Sequence, residues 1–586
     1  MKRRQLLHAG LALAASSALP PPPAWGAAMS RARPGAAGWP SEADWATLNR
    51  AVDGRLSPGG SPDLAGAEAQ LLLHDPFYIG DQPGLTESSG WLDAWRSSPS
   101  AYVVAAESAA DIAAAVRFAR AHNLRLAVKG RGHSYLGGSN APDSLLIWTR
   151  RMDQVTVHDA FTPAGSNAAP VAAVSCGAGA MWLHTYQAVS GVAGRYVQGG
   201  GCTTVGVAGL VQGGGFGSYS KAFGTAAASL LEAEIVTADG EVRIVNQTRE
   251  PDLFWALKGG GGGAFGVVTR LTLKTHELPQ NFGALRLSIL ARSDEAYRRL
   301  LGRFIDVYAA NLFNPHWGET VHAGPENRLE VSMVFQGLGE REAREAWQPL
   351  VAFADANARD YDGQNSLTAT GLPARLQWNA DIFRRFAPDA VSFDPRPGAA
   401  ASDFWWRGDG DQVGVFWHAY TSAWLPAELL KPSNQARLAD AWFAASRRHG
   451  VSFHFNKGLA GAPPAAIEAS RATATNPDVL GAFALAIIAD AGPTLFGGGA
   501  PDLATAHVNA DRVQAAMKAL RVAAPDTGAY VNECDYFQPD WQRAFWGPHY
   551  PRLARIKRRY DPTGLFTVHH GVGSEDWSAD GFVRRG

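Results

Sequence analysis

The sequence has few cysteines, a near-zero net charge and only a short apolar stretch at its start. Three cysteines in 586 residues exclude a disulfide-rich scaffold, while one disulfide with one cysteine left over stays open. A formal net charge of −1 gives no electrostatic case for binding nucleic acid or an anionic membrane. The chain is too long for one ordinary core, so two or more domains are expected.

The first 28 residues predict an export signal. Residues 2–4 are basic, residues 6–19 are apolar, and residues 24–27 offer a cleavage site. The apolar stretch is shorter than the roughly 20 residues that span a membrane, which argues against an anchor. Arg3-Arg4 followed by Gln5-Leu6-Leu7 resembles a twin-arginine signal. We expect a periplasmic or secreted protein without stable membrane insertion after the signal is removed.

Composition and periodicity change along the remaining chain. A lead-in at 29–90 comes first, an α+β pattern begins at about residue 100, a second α+β segment covers 281–520, and the last stretch, from Tyr530, is dense in aromatics. In the first α+β segment, Ser108-x-x-Asp111 predicts a capped helix. Strands are predicted at 101–105, 124–128, 144–148 and 171–176, with a hairpin of 234–237 and 241–244 across Asp239-Gly240. The second segment predicts long helices at 294–310 and 340–358, and the last is expected to return to the first domain.

Three glycine-rich loops dominate residues 91–280. They cover residues 129–139, 199–217 and 259–266. Glycine lets backbone N–H groups converge on an anion, so such loops suit a pyrophosphate. Gly261-x-Gly263-x-x-Gly266 matches the dinucleotide-binding string, but that motif needs a following helix. Residues 267–273 predict a strand, so we reject a Rossmann domain.

The three loops carry a family resemblance. A Gly-His loop, then Gly-Gly-Gly-Cys-x-x-Val-Gly, then Lys-Gly-Gly-Gly-Gly-Gly-x-Phe-Gly resembles the vanillyl-alcohol-oxidase-type FAD-linked oxidases, with the berberine-bridge-enzyme-like proteins as the most similar branch. The resemblance covers residues 91–276 and 530–577. It implies a two-domain α+β fold with an FAD-binding PCMH-type domain at 91–280, an α+β substrate domain at 281–520 whose antiparallel sheet is covered by helices, and a berberine-bridge-like closing segment at 521–586.

The resemblance implies FAD on two covalent bonds. His133 matches the histidine that bonds the flavin 8α-methyl carbon, and Cys202 matches the cysteine that bonds ring carbon 6. Among glycines, Cys202 is expected to react as a thiolate, helped by nearby N–H dipoles. Taken alone, each would more often be a structural residue. The further cofactor-binding residues are Gly130, Arg131, Gly132, Ser134, Gly138, Ser139, Gly201, Thr203, Val205, Gly206, Gly209, Gly213, Gly215, Gly217, Gly266 and Val267.

The closing segment supplies the candidate catalytic residues. In many members of the family a tyrosine directly follows the asparagine of a Tyr-x-Asn motif, whereas Glu533 follows Tyr530-x-Asn532 here. A glutamate whose pKa is raised by burial can accept the proton of a substrate hydroxyl. A structural role for Glu533 stays open, and Tyr530 and Asn532 are alternative site members. We expect Cys176 to lie in the core; the role of Cys534 stays open.

Two other patterns have simpler interpretations. Adjacent His569 and His570 make a poor chelate, so no metal is expected, although one of them is expected to contact the flavin or the substrate. Aromatic clusters at 404–406, 416–418 and 453–456 are interpreted mainly as sheet core, and some of these side chains are candidates for lining a pocket.

We therefore expect an FAD-dependent oxidoreductase that oxidises a hydroxylated small molecule, an alcohol or a sugar, by hydride transfer, with O2 reduced to H2O2. Gly200 and Gly201 are expected to leave room for oxygen. Three alternatives stay open: a dehydrogenase that passes electrons to a quinone or cytochrome, a flavin-binding protein without turnover, and a carbohydrate-binding module built on the aromatic clusters.

Overall fold

The structure, a computed structural model, describes residues 30–64, 66–363 and 366–585. The predicted signal at 1–28 lies outside the described residues. Within the described part of the chain, no helix is long and apolar enough to span a bilayer. Cys176, Cys202 and Cys534 are all unpaired, so no disulfide forms, and Cys176 is buried in the core as predicted.

A four-stranded sheet opens the first domain. Its order is Leu56–Pro58, Tyr102–Ala105, Ser144–Trp148 and Arg125–Lys129. The last three strands are mutually parallel. Helix Ala109–Ala121 packs on this sheet and begins at the predicted capping box. The Ser108 side chain accepts from the backbone N–H of Asp111, and the Asp111 carboxylate accepts from the backbone N–H of Ser108. Helix Glu42–Ala51 packs beside it and shares the same apolar core.

A five-stranded antiparallel sheet completes the first domain. Its order is Val242–Asn246, Leu230–Val236, Val267–Lys274, Val171–Gly177 and Val155–Phe161. The predicted hairpin is confirmed in its first two strands. Strand Val267–Lys274 directly follows the third glycine loop, which confirms the rejection of a Rossmann turn. The helices that contribute to the core of this sheet include Trp182–Tyr186, Val207–Gln212, Pro251–Leu257, Trp541–Trp546 and Tyr550–Tyr560.

A ten-stranded sheet forms the second domain. Its order is Tyr361–Asp362, Asn281–Ala291, Arg328–Gln336, Trp317–Ala323, Val451–His454, Ala482–Gly492, Phe416–Pro426, Gly90–Trp91 and Trp95–Arg96, with Thr368–Pro373 also paired to Asn281–Ala291. The largest apolar core lies between this sheet and the helices Asp294–Val307, Glu340–Ala356, Pro432–Ser446 and Leu503–Leu520. The predicted long helices are confirmed, except that Tyr308–Leu312 continues the first as a π-helical turn.

Shorter elements connect these layers. Two-stranded pairs join Arg195–Tyr196 to His276–Glu277 and Val391–Phe393 to Phe404–Trp406. The remaining α-helices are Ala67–Leu72, Pro76–Gly80, Ser220–Phe223, Ala380–Phe386, Arg407–Gly410, Pro464–Arg471 and Asp478–Gly481. A π-helical turn covers Gln187–Val192, and 3-10 turns cover Ala226–Ser229, Ala374–Leu376, Pro388–Ala390, Ala427–Leu430, Phe496–Gly498, Gly547–His549 and Ser574–Asp576.

The C-terminal segment packs against the first domain. Buried Lys557 fastens it: Nζ donates to the carbonyl oxygens of Ala264 and Phe566, each at 2.6 Å, and lies 2.6 Å from Asp561. Ala264 belongs to the third glycine loop. This cluster therefore fixes the closing segment directly against that loop.

Candidate functional site

A cavity of about 310 Å³ lies between the glycine loops and the C-terminal segment. Most of its wall comes from residues 130–139, 205–212, 261–268 and 530–571. Its volume is at the lower end of the range for small-molecule sites, about 300–1,000 Å³. The three loops selected from the sequence therefore meet around one space.

A buried lysine anchors the start of the first glycine loop, residues 129–139. Lys129 ends strand Arg125–Lys129, and its Nζ donates to the carbonyl oxygens of Gln82, Pro83 and Leu85 at 2.7–3.0 Å. These bonds fix the start of the loop, in which Gly132 adopts a φ of +89°. A residue with a side chain would be strained there, so this turn requires glycine.

The imidazole of His133 lies in the cavity wall. Its Nε2 is 3.3 Å from Oγ1 of Thr204 and 3.8 Å from Oε2 of Glu87. Burial, followed by the nearby Arg131 guanidinium, lowers the pKa of His133 to about 3, so the ring is neutral and one nitrogen carries no proton. Nε2 is the nitrogen engaged with the Thr204 hydroxyl, which leaves Nδ1 as the candidate nucleophilic atom.

The second glycine loop is closely packed on its own backbone. A Cβ at Gly217 would lie 1.7 Å from the carbonyl oxygen of Gly199. Tyr186 donates its hydroxyl proton to the carbonyl oxygen of Gly200 at 2.8 Å, and Nε1 of Trp406 donates to that of Gly201 at 3.1 Å. The contact between His133 and Thr204 joins this loop to the first one.

The room for oxygen expected at Gly200 and Gly201 is only partly present. A Cβ at Gly200 would lie 2.9 Å from Leu210 and 3.3 Å from Trp182, so that position is already filled. At Gly201 the nearest atom would be Oε1 of Glu319 at 3.5 Å, an ordinary contact. Space therefore remains beside Gly201 and not beside Gly200.

The Cys202 thiol lies beside the carboxyl group of Asp409. Burial, followed by the charge of Asp409, raises the pKa of Cys202 well above its ordinary value. The expectation of a thiolate favoured by N–H dipoles is therefore wrong, because desolvation and a neighbouring carboxylate both favour the protonated thiol. Burial also raises the pKa of Asp409 to about 7.

Glu533 lies in the cavity wall and is paired with Lys457. Nζ of Lys457 is 2.6 Å from Oε1 of Glu533 and also contacts Oε2. The backbone carbonyl of Glu533 accepts from the Ser422 hydroxyl at 2.6 Å, so strand Phe416–Pro426 of the second domain supports this residue. An ammonium group therefore pairs with the Glu533 carboxylate, a partner that the sequence analysis did not identify.

Tyr530 and Asn532 also line the cavity. The Tyr530 hydroxyl accepts from the backbone N–H of Gly215 at 3.2 Å and from Nδ2 of Asn532 at 2.9 Å. Burial, followed by the charge of Glu533, raises the pKa of Tyr530. The phenol therefore keeps its proton at neutral pH and links the closing segment to the second glycine loop.

Glu319 is a second carboxylate beside the loop. Its φ of +66° is in the left-handed region within strand Trp317–Ala323, a conformation that costs about 1–3 kcal/mol in a residue with a side chain. Oε1 accepts from the Ser218 hydroxyl at 2.6 Å. Burial raises the pKa of Glu319. This strained residue holds a carboxylate next to Gly201.

The predicted cofactor-binding residues divide into two groups. Those that line the cavity are His133, Gly130, Arg131, Gly132, Ser134, Gly138, Ser139, Val205, Gly206, Gly209 and Gly266. Those that do not line it are Gly201, Cys202, Thr203, Gly213, Gly215, Gly217 and Val267. Val267 faces the core of the four-stranded sheet, since its strand neighbour Val268 faces the cavity. Gly213 leaves space for Asn532, because a Cβ at position 213 would lie 2.2 Å from Nδ2 of Asn532.

Four charged residues near the site were not selected from the sequence: Glu87, Glu319, Asp409 and Lys457. They lie in separate segments, none within a glycine loop. Lys457 directly follows an aromatic cluster, which was the only available signal. The positive φ of Glu319 has no sequence signature.

The adjacent histidines both line the cavity. Nε2 of His569 lies 2.7 Å from the carbonyl oxygen of Tyr536, whose ring stacks on it at 3.7 Å. Nδ1 of His570 is buried and has no hydrogen-bond partner. Within the described ranges no group of three or more His, Cys, Asp or Glu side chains is arranged to hold a metal ion.

The cavity fits FAD in three respects. Glycine loops form much of its wall, so backbone N–H groups can approach phosphate oxygens. The unpartnered Nδ1 of His570 offers a further polar contact. The aliphatic side chains of Leu126, Val128 and Val268 supply apolar wall next to these groups. This combination suits a ligand with an anionic centre and flat apolar ends.

Comparisons with known proteins agree with this interpretation. Residues 99–246 match the family described as FAD binding domain, and residues 529–573 match the family described as berberine and berberine like. A VAO-type flavoprotein oxidase, VAO615, of Thermothelomyces thermophilus is 30% identical over 598 residues, which cover 94% of this chain and 94% of the relative.

Solved structures share the fold. The crystal structure of the VAO-type flavoprotein MtVAO615 from Myceliophthora thermophila C1 has a TM-score of 0.76 and 26% identity, covering 95% of this chain and 100% of its own. Glucooligosaccharide oxidase from Acremonium strictum, described with 6-S-cysteinyl, 8α-N1-histidyl FAD, has a TM-score of 0.64 and 19% identity, covering 90% of this chain and 99% of its own. The chain belongs to the VAO-type family of FAD-linked oxidoreductases.

Proposed function

We propose that the protein is an oxidase that carries FAD on two covalent bonds, from His133 and Cys202, and oxidises a hydroxylated small molecule. The observation that supports this most is the contact between His133 and Thr204 at 3.3 Å, because it brings the loop of the histidine against the loop of the cysteine at the wall of one cavity. A glucooligosaccharide oxidase of the same fold is described with FAD linked through a cysteine and a histidine.

Bound FAD would supply the two-electron acceptor for a hydride from the substrate carbon, with O2 as the final acceptor that becomes H2O2. The protein has to supply a base for the hydroxyl proton. Glu533 is placed for this role because its carboxylate lies in the cavity wall. Lys457 holds that carboxylate in one orientation through contacts to both oxygens.

Tyrosines around Glu533 are poor candidates for the base. Tyr135 and Tyr420 lie 5.2 Å apart between ring centroids. Burial, followed by the charge of Glu533, raises the pKa of each of these two tyrosines well above the ordinary value of a tyrosine. The same two causes raise the pKa of Tyr530. A phenolate next to a carboxylate is costly, so the glutamate takes the task that a tyrosine performs in other members of the family.

The test is anaerobic reduction of the purified yellow protein by a panel of alcohols, sugars and amines. We expect alcohols or sugars to bleach the flavin and air to restore the colour with formation of H2O2. If a quinone or a cytochrome restores the colour and air does not, the protein is a dehydrogenase and not an oxidase. If no reductant in the panel bleaches the flavin, a flavin-binding role without turnover replaces the enzyme.

We also propose that the protein acts in the periplasm or outside the cell, on the basis of residues 1–28. Fractionation of the native host would test this, with Arg3→Lys/Arg4→Lys as the altered signal. We expect the unaltered protein outside the cytoplasm and the altered one inside it. Equal amounts of both inside would contradict the export signal.

A further inference from the structure

Two buried carboxyl groups lie beside the two nucleophiles, one at each. Oε2 of Glu87 is 3.8 Å from Nε2 of His133. The carboxyl group of Asp409 faces the Cys202 thiol and the backbone N–H of Thr203. Substrate oxidation as described above uses neither carboxyl group. Both retain one buried oxygen, Oε2 of Glu87 and Oδ2 of Asp409, that accepts no hydrogen bond.

Hydrogen bonds place the two segments that carry these carboxyl groups against the glycine loops. The N–H of Glu87 donates to the carbonyl oxygen of Gly132 at 3.0 Å, directly before His133. Asp409 belongs to the short helix Arg407–Gly410. That helix follows Trp406, whose Nε1 donates to the carbonyl oxygen of Gly201 at 3.1 Å, directly before Cys202. The segment that carries each carboxyl group is thus hydrogen-bonded to the residue that precedes its nucleophile.

Both nucleophiles need a base. Cys202 is a thiol, because burial and Asp409 raise its pKa, and a thiol is far less nucleophilic than its thiolate. His133 is neutral, so attack by Nδ1 creates a cation unless the proton on Nε2 leaves. Nε2 is the atom that faces Glu87.

We propose that Asp409 and Glu87 are the bases of flavin attachment, Asp409 for the bond from Cys202 and Glu87 for the bond from His133. The proposal rests on the bicovalent attachment proposed above. It assigns these residues to the maturation of the enzyme and not to its turnover.

The two steps balance with O2 as the oxidant. In one, Asp409 takes the thiol proton, sulfur bonds to ring carbon 6, and that carbon loses its proton. In the other, Glu87 takes the Nε2 proton, Nδ1 bonds to the 8α carbon, and the methyl group loses a proton. Each step leaves two electrons on the flavin, and O2 takes them with two protons to form H2O2.

The groups around the two carboxyl groups set the pH range. Asp409 faces Cys202, the Thr203 N–H and Glu319, and its pKa is raised to about 7, first by burial. Glu87 faces Asp409, Arg131 and Asp75 as well as His133, and its pKa is raised to about 8, first by burial. A base works when ionised, so attachment through cysteine is expected to accelerate as pH rises through about 7, and through histidine at higher pH.

The experiment separates the two bonds by using single-nucleophile proteins. His133→Ala leaves only Cys202, and Cys202→Ala leaves only His133. Asp409→Asn and Glu87→Gln are added to each. Apoproteins from a riboflavin-auxotrophic host are mixed with FAD in air, and intact-protein mass under denaturing conditions follows covalent FAD with time and pH.

We expect a crossed pattern. Asp409→Asn slows attachment through Cys202 by about 100-fold or more, the usual contribution of a general base, and removes its rise near pH 7. Attachment through His133 keeps its maximal rate, and its rise moves only to lower pH because Glu87 loses a like-charged neighbour. Glu87→Gln has the opposite selectivity. The unaffected bond in each case shows that the variant folds and binds FAD.

Other outcomes overturn the proposal. Attachment at the parent rate in Asp409→Asn and Glu87→Gln shows that other groups take the protons, while the bicovalent attachment itself stands. Equal slowing of both bonds by either variant shows a structural role. If neither single-nucleophile parent gains the mass of FAD, the proposed bicovalent attachment is wrong, and the proposal of the two bases falls with it.

Discussion

Nζ of Lys457 lies 2.6 Å from Oε1 of Glu533 and contacts its second carboxylate oxygen as well. The two residues come from different domains, since Lys457 follows strand Val451–His454 of the ten-stranded sheet and Glu533 belongs to the closing segment. The ion pair therefore forms only when the second domain and the closing segment meet over the cavity. Both domains therefore contribute to one ion pair in the cavity wall.

Glu533→Gln is expected to slow flavin reduction by substrate by about 10²–10⁴-fold, because the base for the hydroxyl proton is lost. Covalent FAD content should stay unchanged. Anaerobic stopped-flow absorbance measures the rate. The matched control is Glu345→Gln, an exposed glutamate on helix Glu340–Ala356. A rate in Glu533→Gln equal to that of the control would remove Glu533 from the mechanism.

Lys457→Met is expected to slow the same step by about tenfold or more, since the carboxylate then loses the group that orients it and is left unpaired. The double variant Glu533→Gln/Lys457→Met should be no slower than Glu533→Gln alone, because the two residues act as a unit. Rates that multiply in the double variant would show two independent roles.

Tyr530→Phe is expected to lower the rate of flavin reduction less than tenfold, because the raised pKa of Tyr530 keeps it a phenol and excludes it as the base. The variant leaves the Gly215 N–H without its acceptor, which costs about 1–3 kcal/mol. Flavin reduction and thermal unfolding measured together separate the effects. A loss as large as that of Glu533→Gln would make Tyr530 the base.

Gly209→Ala tests whether cofactor occupies the space beside helix Val207–Gln212. Gly209 lines the cavity, and a Cβ there would meet no protein atom within 4 Å. The protein is expected to fold while its FAD content falls. Gly481→Ala, also free of contacts within 4 Å but outside the cavity wall, is the control. Full FAD content in Gly209→Ala would place the cofactor elsewhere.

The sequence was sufficient to predict the elements and the loops that meet at the cavity. The capping box of Ser108, the hairpin across Asp239-Gly240 and the strand after Gly266 are local patterns, and each is found. The strands Gly90–Trp91 and Trp95–Arg96 were not predicted. Gly90–Trp91 joins the edge of the second-domain sheet by pairing with Phe416–Pro426, a contact between distant parts of the chain, and Trp95–Arg96 pairs with Gly90–Trp91.

The carboxyl groups of the site could not be predicted for the same reason. Glu87, Asp409 and Glu319 carry no local motif, and they become significant only because folding buries each next to a loop glycine or a nucleophile. The protonation of Cys202 depends on this burial too. The glycine-rich sequence around Cys202 predicted a thiolate. Asp409, which contacts the thiol in the fold, is more than 200 positions away in the sequence and gave no signal.

The state of the three cysteines offers an independent check. None forms a disulfide, and burial raises the pKa of Cys176 to about 12. In the denatured holoprotein, alkylation followed by peptide mapping should modify Cys176 and Cys534 and leave the Cys202 peptide carrying flavin. An alkylated Cys202 in protein that contains FAD would contradict the thioether bond.

The most direct test of the account is intact-protein mass under denaturing conditions for the unaltered protein, His133→Ala, Cys202→Ala and the double variant, all purified with FAD. We predict the mass of one attached FAD on the unaltered protein and on each single variant, and none on the double variant. Complete loss of attached FAD in either single variant, or retention in the double variant, would contradict attachment through both residues.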